Sequence, residues 1–247
     1  MGCPTSIVPG FAEGDKASKL LDVGARSRIE MEMSKSDNVP GPTFKVKKNY
    51  NPKNTKKAYK LFKFKDGKLY PLYVDAKRSL PIGVWLAAES GELQGDKVKS
   101  SIGQLAYRPG WHSGSLPLAT HIGGKVNPQT GERMTGRGIK PTMREEDTVW
   151  AEVEVPADKD WQSVANSRAS RTRDGRLNLR EAHITDQIPN DGYYNYKTNA
   201  NMTGSWLISG ELKVNKILTD EEVRQINSRA GTSDLPRNYE LPYFNRR

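Results

Sequence analysis

Two of the three histidines in this 247-residue chain stand nine positions apart in the run AYRPGWHSGSLPLATHI, residues 106–122. Imidazole titrates near neutrality, so His112 and His121 can serve as proton donor and acceptor in acid–base catalysis. Arg108, just upstream, can grip an anion such as phosphate through its planar fork. Pro109 and Gly110 bend the chain immediately before Trp111 and His112, and Pro117 fixes it before His121. A histidine carried on such a bend is poorly placed for core packing, and Ser113, Gly114 and Ser115 are too small to cover it. The competing reading is structural: Trp111 packs at a core edge and His112 bonds a backbone carbonyl. No Cys, Asp or Glu lies between the two histidines, and their spacing matches no zinc motif.

Other polar residues can join from a distance. Glu152 shares a strand face with Trp150 and Glu154, where a carboxylate either orients a histidine or faces water. The run DGYYNYKTNANMTGSW gathers Tyr193, Tyr194, Tyr196 and Lys197, which suit base stacking and phosphate contact, or packing. His183 lies in a polar stretch and receives no role. The candidate catalytic set is therefore His112, His121 and Glu152. The candidate substrate contacts are Arg108, Trp111, Ser113, Ser115, Tyr194, Tyr196 and Lys197, and no metal site is expected.

Several elements must position these residues. YKLFKFKDGKLYPLYVD places the turn dipeptide Asp66-Gly67 between two apolar runs, a hairpin signal. TVWAEVEVP alternates, with Val149, Ala151, Val153 and Val155 on one face and Trp150, Glu152 and Glu154 on the other, until Pro156 stops it. SWLISGELKVNKIL repeats that period, with Gly210 marking a bulge or a close approach. Thr219 and Glu222 then form a capping box for a short helix that ends before Gly231. The intervals 123–143 and 167–201 read as long loops. This pattern predicts an α+β domain over residues 58–235, built on a bent, mainly antiparallel sheet with few short helices. Residues 236–247 read as an extension anchored by Tyr239, Tyr243 and Phe244.

Residues 1–57 read as a flexible basic arm, because prolines and lysines there leave too little apolar surface to order the chain. From Ser34 to Lys68 the sequence holds eleven lysines against two acids, Asp37 and Asp66. The whole chain carries a formal charge of +10, which makes a polyanion such as nucleic acid the natural partner, reached through the arm. A hydrophobic content of 35% and a mean hydropathy of -0.76 imply a core smaller than the length suggests. The single cysteine, Cys3, excludes an internal disulfide and fits a reducing compartment. No apolar run approaches a membrane span, and the expected location is the cytoplasm of a bacterial host or a virion.

Four runs carry a resemblance: LYPLYVDAKRSLPIGVWLAAE, LAYRPGWHSGSLPLATHI, VWAEVEVPAD and GSWLISGELKVNKILTDEE. Together they resemble a domain of bacteriophages and other mobile elements that occurs as a short protein and within very large ones. The resemblance spans roughly residues 58–235, and its most specific piece is Arg108 to His112. The order of segments is also similar to that of small ADP-ribosyltransferase domains. That likeness would set His112 to Ser115 against the nicotinamide side of NAD. Those enzymes carry a catalytic glutamate at the start of the terminal strand, where this chain has Ser205 and Trp206; Glu211 lies further along. Three functions follow as expectations. The first is a phage or mobile-element protein that binds nucleic acid without catalysis. The others are an NAD-dependent, ADP-ribosyltransferase-like enzyme and a metal-independent, histidine-based ribonuclease.

Overall fold

The computed structural model describes residues 44–178, 181–199 and 201–244. The expected arm falls mostly outside this range, but its last residues do not behave as an arm. Phe44 is 5% exposed and sets its ring 4.9 Å from that of Trp111. Val46 bridges Leu86, and the Tyr50 hydroxyl donates to Asp191 Oδ1 at 2.9 Å. One aromatic among many lysines is enough to pin the backbone, so the domain begins at or before Phe44 rather than at residue 58.

The first strand, β1 (Thr55–Lys65), turns through Asp66-Gly67 into β2 (Lys68–Tyr70). Both turn residues have left-handed backbones, φ 50° and 71°, as a two-residue hairpin with right-twisted strands requires. There follow β3 (Trp85–Ala87), β4 (Leu93–Gln94), β5 (Lys97–Ser100), β6 (Gly103–Ala106) and β7 (Trp111–Gly114). Next come β8 (Thr148–Pro156), β9 (Lys159–Asp160), helix α1 (Gln162–Ser167) and β10 (Gly192–Tyr196). The chain continues through β11 (Trp206–Ser209) and β12 (Glu211–Ile217) into helix α2 (Asp220–Arg229). The main sheet runs β3, β12, β8, β1, β7, β11, β10, β9, with β2 paired to β1. Every pairing is antiparallel except β9 with β10. Strands β4, β5 and β6 form a separate small sheet. The described chain is thus mostly sheet, mainly antiparallel, with two α-helices.

Strand β8 lies at the centre, in register with β1 from Thr55↔Pro156 to Lys63↔Thr148. Its alternation is realised on one face: Val149, Ala151, Val153 and Val155 enter the main core with Phe62, Leu86 and Trp111. On the other face Trp150 is buried as well, against Tyr59, Leu61, Leu218 and Val223 of α2. Thr219 caps that helix as its sequence predicts: its hydroxyl accepts the Glu222 amide, and the Glu222 carboxylate accepts the Thr219 amide.

Two further boundaries differ. The interval 167–201 is not all loop, since Gly192–Tyr196 forms β10 against β11. Burial alternates along it, so the three tyrosines that read as a recognition cluster are divided between two faces. The C-terminal residues are part of the domain rather than an extension: Leu241 is buried, and Arg237 pairs with Asp220 at 2.9 Å. Residues 245–247 lie outside the description. No helix among the described residues is long and apolar enough to cross a membrane.

Candidate functional site

Strands β1 and β7 share a single registered pair, Tyr59↔Gly114, whereas β1 holds β8 along nearly its whole length. Beyond that pair the sheet parts, and strand polar groups need other partners. Lys60 supplies one: its Nζ donates to the His112 carbonyl at 2.6 Å. A cavity of about 400 Å³ opens here, bordered by Tyr59, Lys60 and Leu61 from β1 and by Trp111, His112 and Ser113 from β7. Its volume lies in the range of small-molecule sites. Trp150, Trp206 and Tyr196 add aromatic wall, and Val98 and Leu105 reach it from the small sheet.

The bend at Pro109-Gly110 sets the cavity's most polar edge. Gly110 has φ 135°, and a Cβ on it would stand 2.4 Å from Ile208 Cγ2, so the approach of this loop to β11 requires glycine. The bend lets His112 reach back along its own chain. Its Nε2–H donates to the Arg108 carbonyl at 2.9 Å, which leaves Nδ1 to accept from the Tyr196 hydroxyl at 3.5 Å. Burial pushes the His112 pKa down to about 4; the charges of Lys60 and Arg108 act the same way, and the Arg108 carbonyl opposes them. At neutral pH the ring is therefore uncharged, with both nitrogens engaged by the protein.

A pH dependence follows. The unfolded chain takes up this proton near pH 6.5, and the folded chain refuses it until about 4. Stability contributed by the neutral ring is lost as pH falls through that window, by about 2 kcal/mol at pH 5. His112→Gln should flatten the fall, and denaturant melts of both proteins at pH 7 and pH 5 measure it. Equal losses in both would remove His112 as the cause.

The remaining candidates separate. Arg108 borders the cavity with its guanidinium carbon 5.6 Å from the Tyr196 ring centre. Ser113 is 1% exposed and lines the cavity, and its hydroxyl has no hydrogen-bond partner among the described residues. His121 stands at another wall, edge-on to Trp206 at 5.6 Å. Burial and the nearby Arg144 lower its pKa, against the pull of Asp234. Glu152 is not brought to the histidines; it pairs with Lys57 at 3.0 Å. Ser115 Oγ accepts the Ser205 amide, Lys197 Nζ donates to the Met202 carbonyl, and the Tyr194 hydroxyl accepts the Ile184 amide in the core. None of these four lines the cavity.

Sequence reasoning missed four contributors. Lys60 had a signal, since it interrupts the inward series Ala58, Lys60, Phe62 with a charge. His183, given no role, packs its ring 4.7 Å from Tyr196 behind the cavity wall. Asp75 and Glu89 border the cavity and both face Arg78, whose guanidinium holds Glu89 below the ordinary carboxylate range through two 2.8 Å contacts. One guanidinium thus offsets part of the charge of that acidic edge. Lys60 and Arg108 have no such partner, because no carboxylate among the described residues forms an ion pair with either. No cluster of three His, Cys, Asp or Glu among the described residues is placed to hold a metal ion.

Glu211, the acidic residue nearest the start of the terminal strand pair, is fully buried away from the cavity. One oxygen pairs with Lys47 and the other accepts the Asp191 amide at 2.9 Å. Comparison with family profiles, curated proteins and solved structures found no match.

Proposed function

We propose that the domain is a nucleotide-binding module whose cavity takes an NAD-type dinucleotide, its rings among the tryptophans and its phosphates at Lys60 and Arg108. The observation that carries this reading is the pair of cations without carboxylate partners in an aromatic cavity at a parted sheet. A buried ammonium without a counter-ion is costly, and an anionic ligand would offset that cost. The unpartnered Ser113 hydroxyl gives the ligand a further polar contact. The similarity of segment order to ADP-ribosyltransferase domains favours NAD over other nucleotides, since His112 and Ser113, two of the residues it sets against nicotinamide, border the cavity.

The reading is recognition rather than transfer. An oxocarbenium-like centre needs a carboxylate beside it, and Glu211 is committed to Lys47 and Asp191. A histidine-based ribonuclease is less well supported, because His112 is neutral with both ring nitrogens occupied.

Titration calorimetry with NAD, ADP-ribose and adenosine tests the proposal. NAD and ADP-ribose should bind about tenfold or more tightly than adenosine, and Arg108→Met should weaken both by about tenfold, the worth of one charged hydrogen bond. NAD should remain uncleaved. Equal affinity for adenosine, or no binding of any of the three, would sink the reading; release of nicotinamide would replace recognition with catalysis.

A further inference from the structure

The segment Ser170–Asn178, sequence SRTRDGRLN, forms a small closed hairpin outside the main sheet. The Asn178 amide donates to the Ser170 carbonyl at 2.9 Å, the Thr172 amide to the Arg176 carbonyl at 2.8 Å and the Gly175 amide to the Thr172 carbonyl at 2.9 Å. Arg171 bridges Leu177 across it. Asp174 fixes the tip by accepting from the Thr172 hydroxyl at 2.6 Å and pairing with Arg176. The Arg171 guanidinium donates to the Gly175 carbonyl at 2.9 Å. At the base, the Glu181 carboxylate accepts the Ser170 amide at 3.0 Å.

This order brings no burial, since all six residues from Arg171 to Arg176 are exposed. A turn that fixes its backbone and hides nothing spends conformational entropy on presentation alone. What it presents is charge: Arg171, Arg173 and Arg176 against Asp174. Arg171 and Arg173 have no carboxylate partner among the described residues, and Arg176, though paired, keeps 84% of its side chain in water. The residues are arginines, whereas the basic N-terminal stretch uses lysines. A guanidinium grips a phosphate diester in a bidentate fork and stacks on bases, which a lysine ammonium does not do.

The hairpin is also tied to the cavity wall. From Glu181 the chain passes directly into buried Ala182, His183 and Ile184; His183 packs on Tyr196, and the Ile184 amide donates to the Tyr194 hydroxyl at 3.3 Å. Tyr196 borders the cavity.

We infer that the hairpin Ser170–Asn178 is a nucleic-acid-binding surface that grips the phosphodiester backbone through Arg171, Arg173 and Arg176. It differs from the lysine-rich N-terminal stretch in using arginine, and it stands whatever ligand the cavity holds.

The test uses the full chain. Fluorescence anisotropy with labelled single-stranded RNA, DNA of the same sequence and the corresponding duplex, each at several salt concentrations, compares three proteins. These are wild type, R171A/R173A/R176A and R171K/R173K/R176K. The alanine variant should bind about tenfold more weakly, with a salt slope smaller by about 2, since each single-strand phosphate neutralised by an arginine adds roughly 0.7 to that slope. The lysine variant should keep the slope and lose part of the affinity, because charge remains and the fork does not. A preference among the three nucleic acids assigns the strand type. Melting temperature and NAD affinity, measured on the same variants, should be unchanged, so failure here and failure of the cavity reading remain distinguishable. Unchanged affinity and slope in the alanine variant would overturn the inference. So would competition by polyglutamate as effective as by RNA, which would assign the surface to an acidic protein.

Discussion

Replacing Asp234 by alanine should lower the stability of the domain by about 3 to 5 kcal/mol, the loss found when one partner of a buried ion pair is removed. Arg144 and Asp234 have side chains 2% and 6% exposed and meet at 2.6 Å. The same carboxylate accepts the Trp150 indole N–H at 2.8 Å and the Ala119 amide at 3.0 Å. Arg144 in turn donates to the carbonyls of Ile122 and Ala119. One pair thus ties the C-terminal segment, the central strand and the His121 loop into a single joint. Asp234→Ala strands the guanidinium without its counter-charge and leaves two further donors unsatisfied. Arg144→Met together with Asp234→Ala should recover part of the loss, since it removes the stranded charge. Denaturant melts of the single and double variants decide it; a loss under about 1 kcal/mol in Asp234→Ala would mean that water replaces the carboxylate easily.

That joint is illegible in the sequence for a physical reason. Arg144 and Asp234 are ninety residues apart, and nothing local to either distinguishes a buried charge from a solvated one. Features whose cause is local are readable. The alternation of β8, the Asp66-Gly67 turn and the Thr219 capping box each depend on a few consecutive side chains, and each is realised. Features that average composition over a window mislead. Phe44 disappears among the surrounding lysines, although one aromatic ring against Trp111 orders its neighbours. Trp150 shares its face with Glu152 and Glu154, and α2 packs on the end of that face where Trp150 lies. The stretch around His112 stands out as unusual from its bend. Its role does not, because the partner that engages Nδ1 comes from β10, a strand hidden in a polar interval.

The same division between local pattern and tertiary setting explains Lys60, and it yields the second large expected effect. On sequence this residue only interrupts the inward series of β1; in the fold it borders the cavity, and burial alone pushes its pKa down to about 8. The unfolded chain keeps its ammonium until about pH 10.4. Between those values the unfolded state binds the extra proton, so stability rises with pH, and below pH 8 the full cost of the buried charge is present. A shift of this size corresponds to about 3 kcal/mol at pH 7. Lys60→Met keeps the unbranched stem and removes the charge, together with the bond to the His112 carbonyl, worth about 1 kcal/mol. The variant should therefore be more stable than wild type by about 2 kcal/mol at pH 7, with the advantage gone by about pH 10. It should also weaken the preference for NAD over adenosine, because one of the two cations that would meet the phosphates is gone. Stability and function then move in opposite directions at one residue, as expected where a strained charge is kept for a ligand. Melts at pH 7 and pH 10 with calorimetry on the same variant test both halves. A destabilised Lys60→Met at pH 7 would show that the ammonium is a structural link across the parted strands. An unchanged ligand preference would remove it from the site.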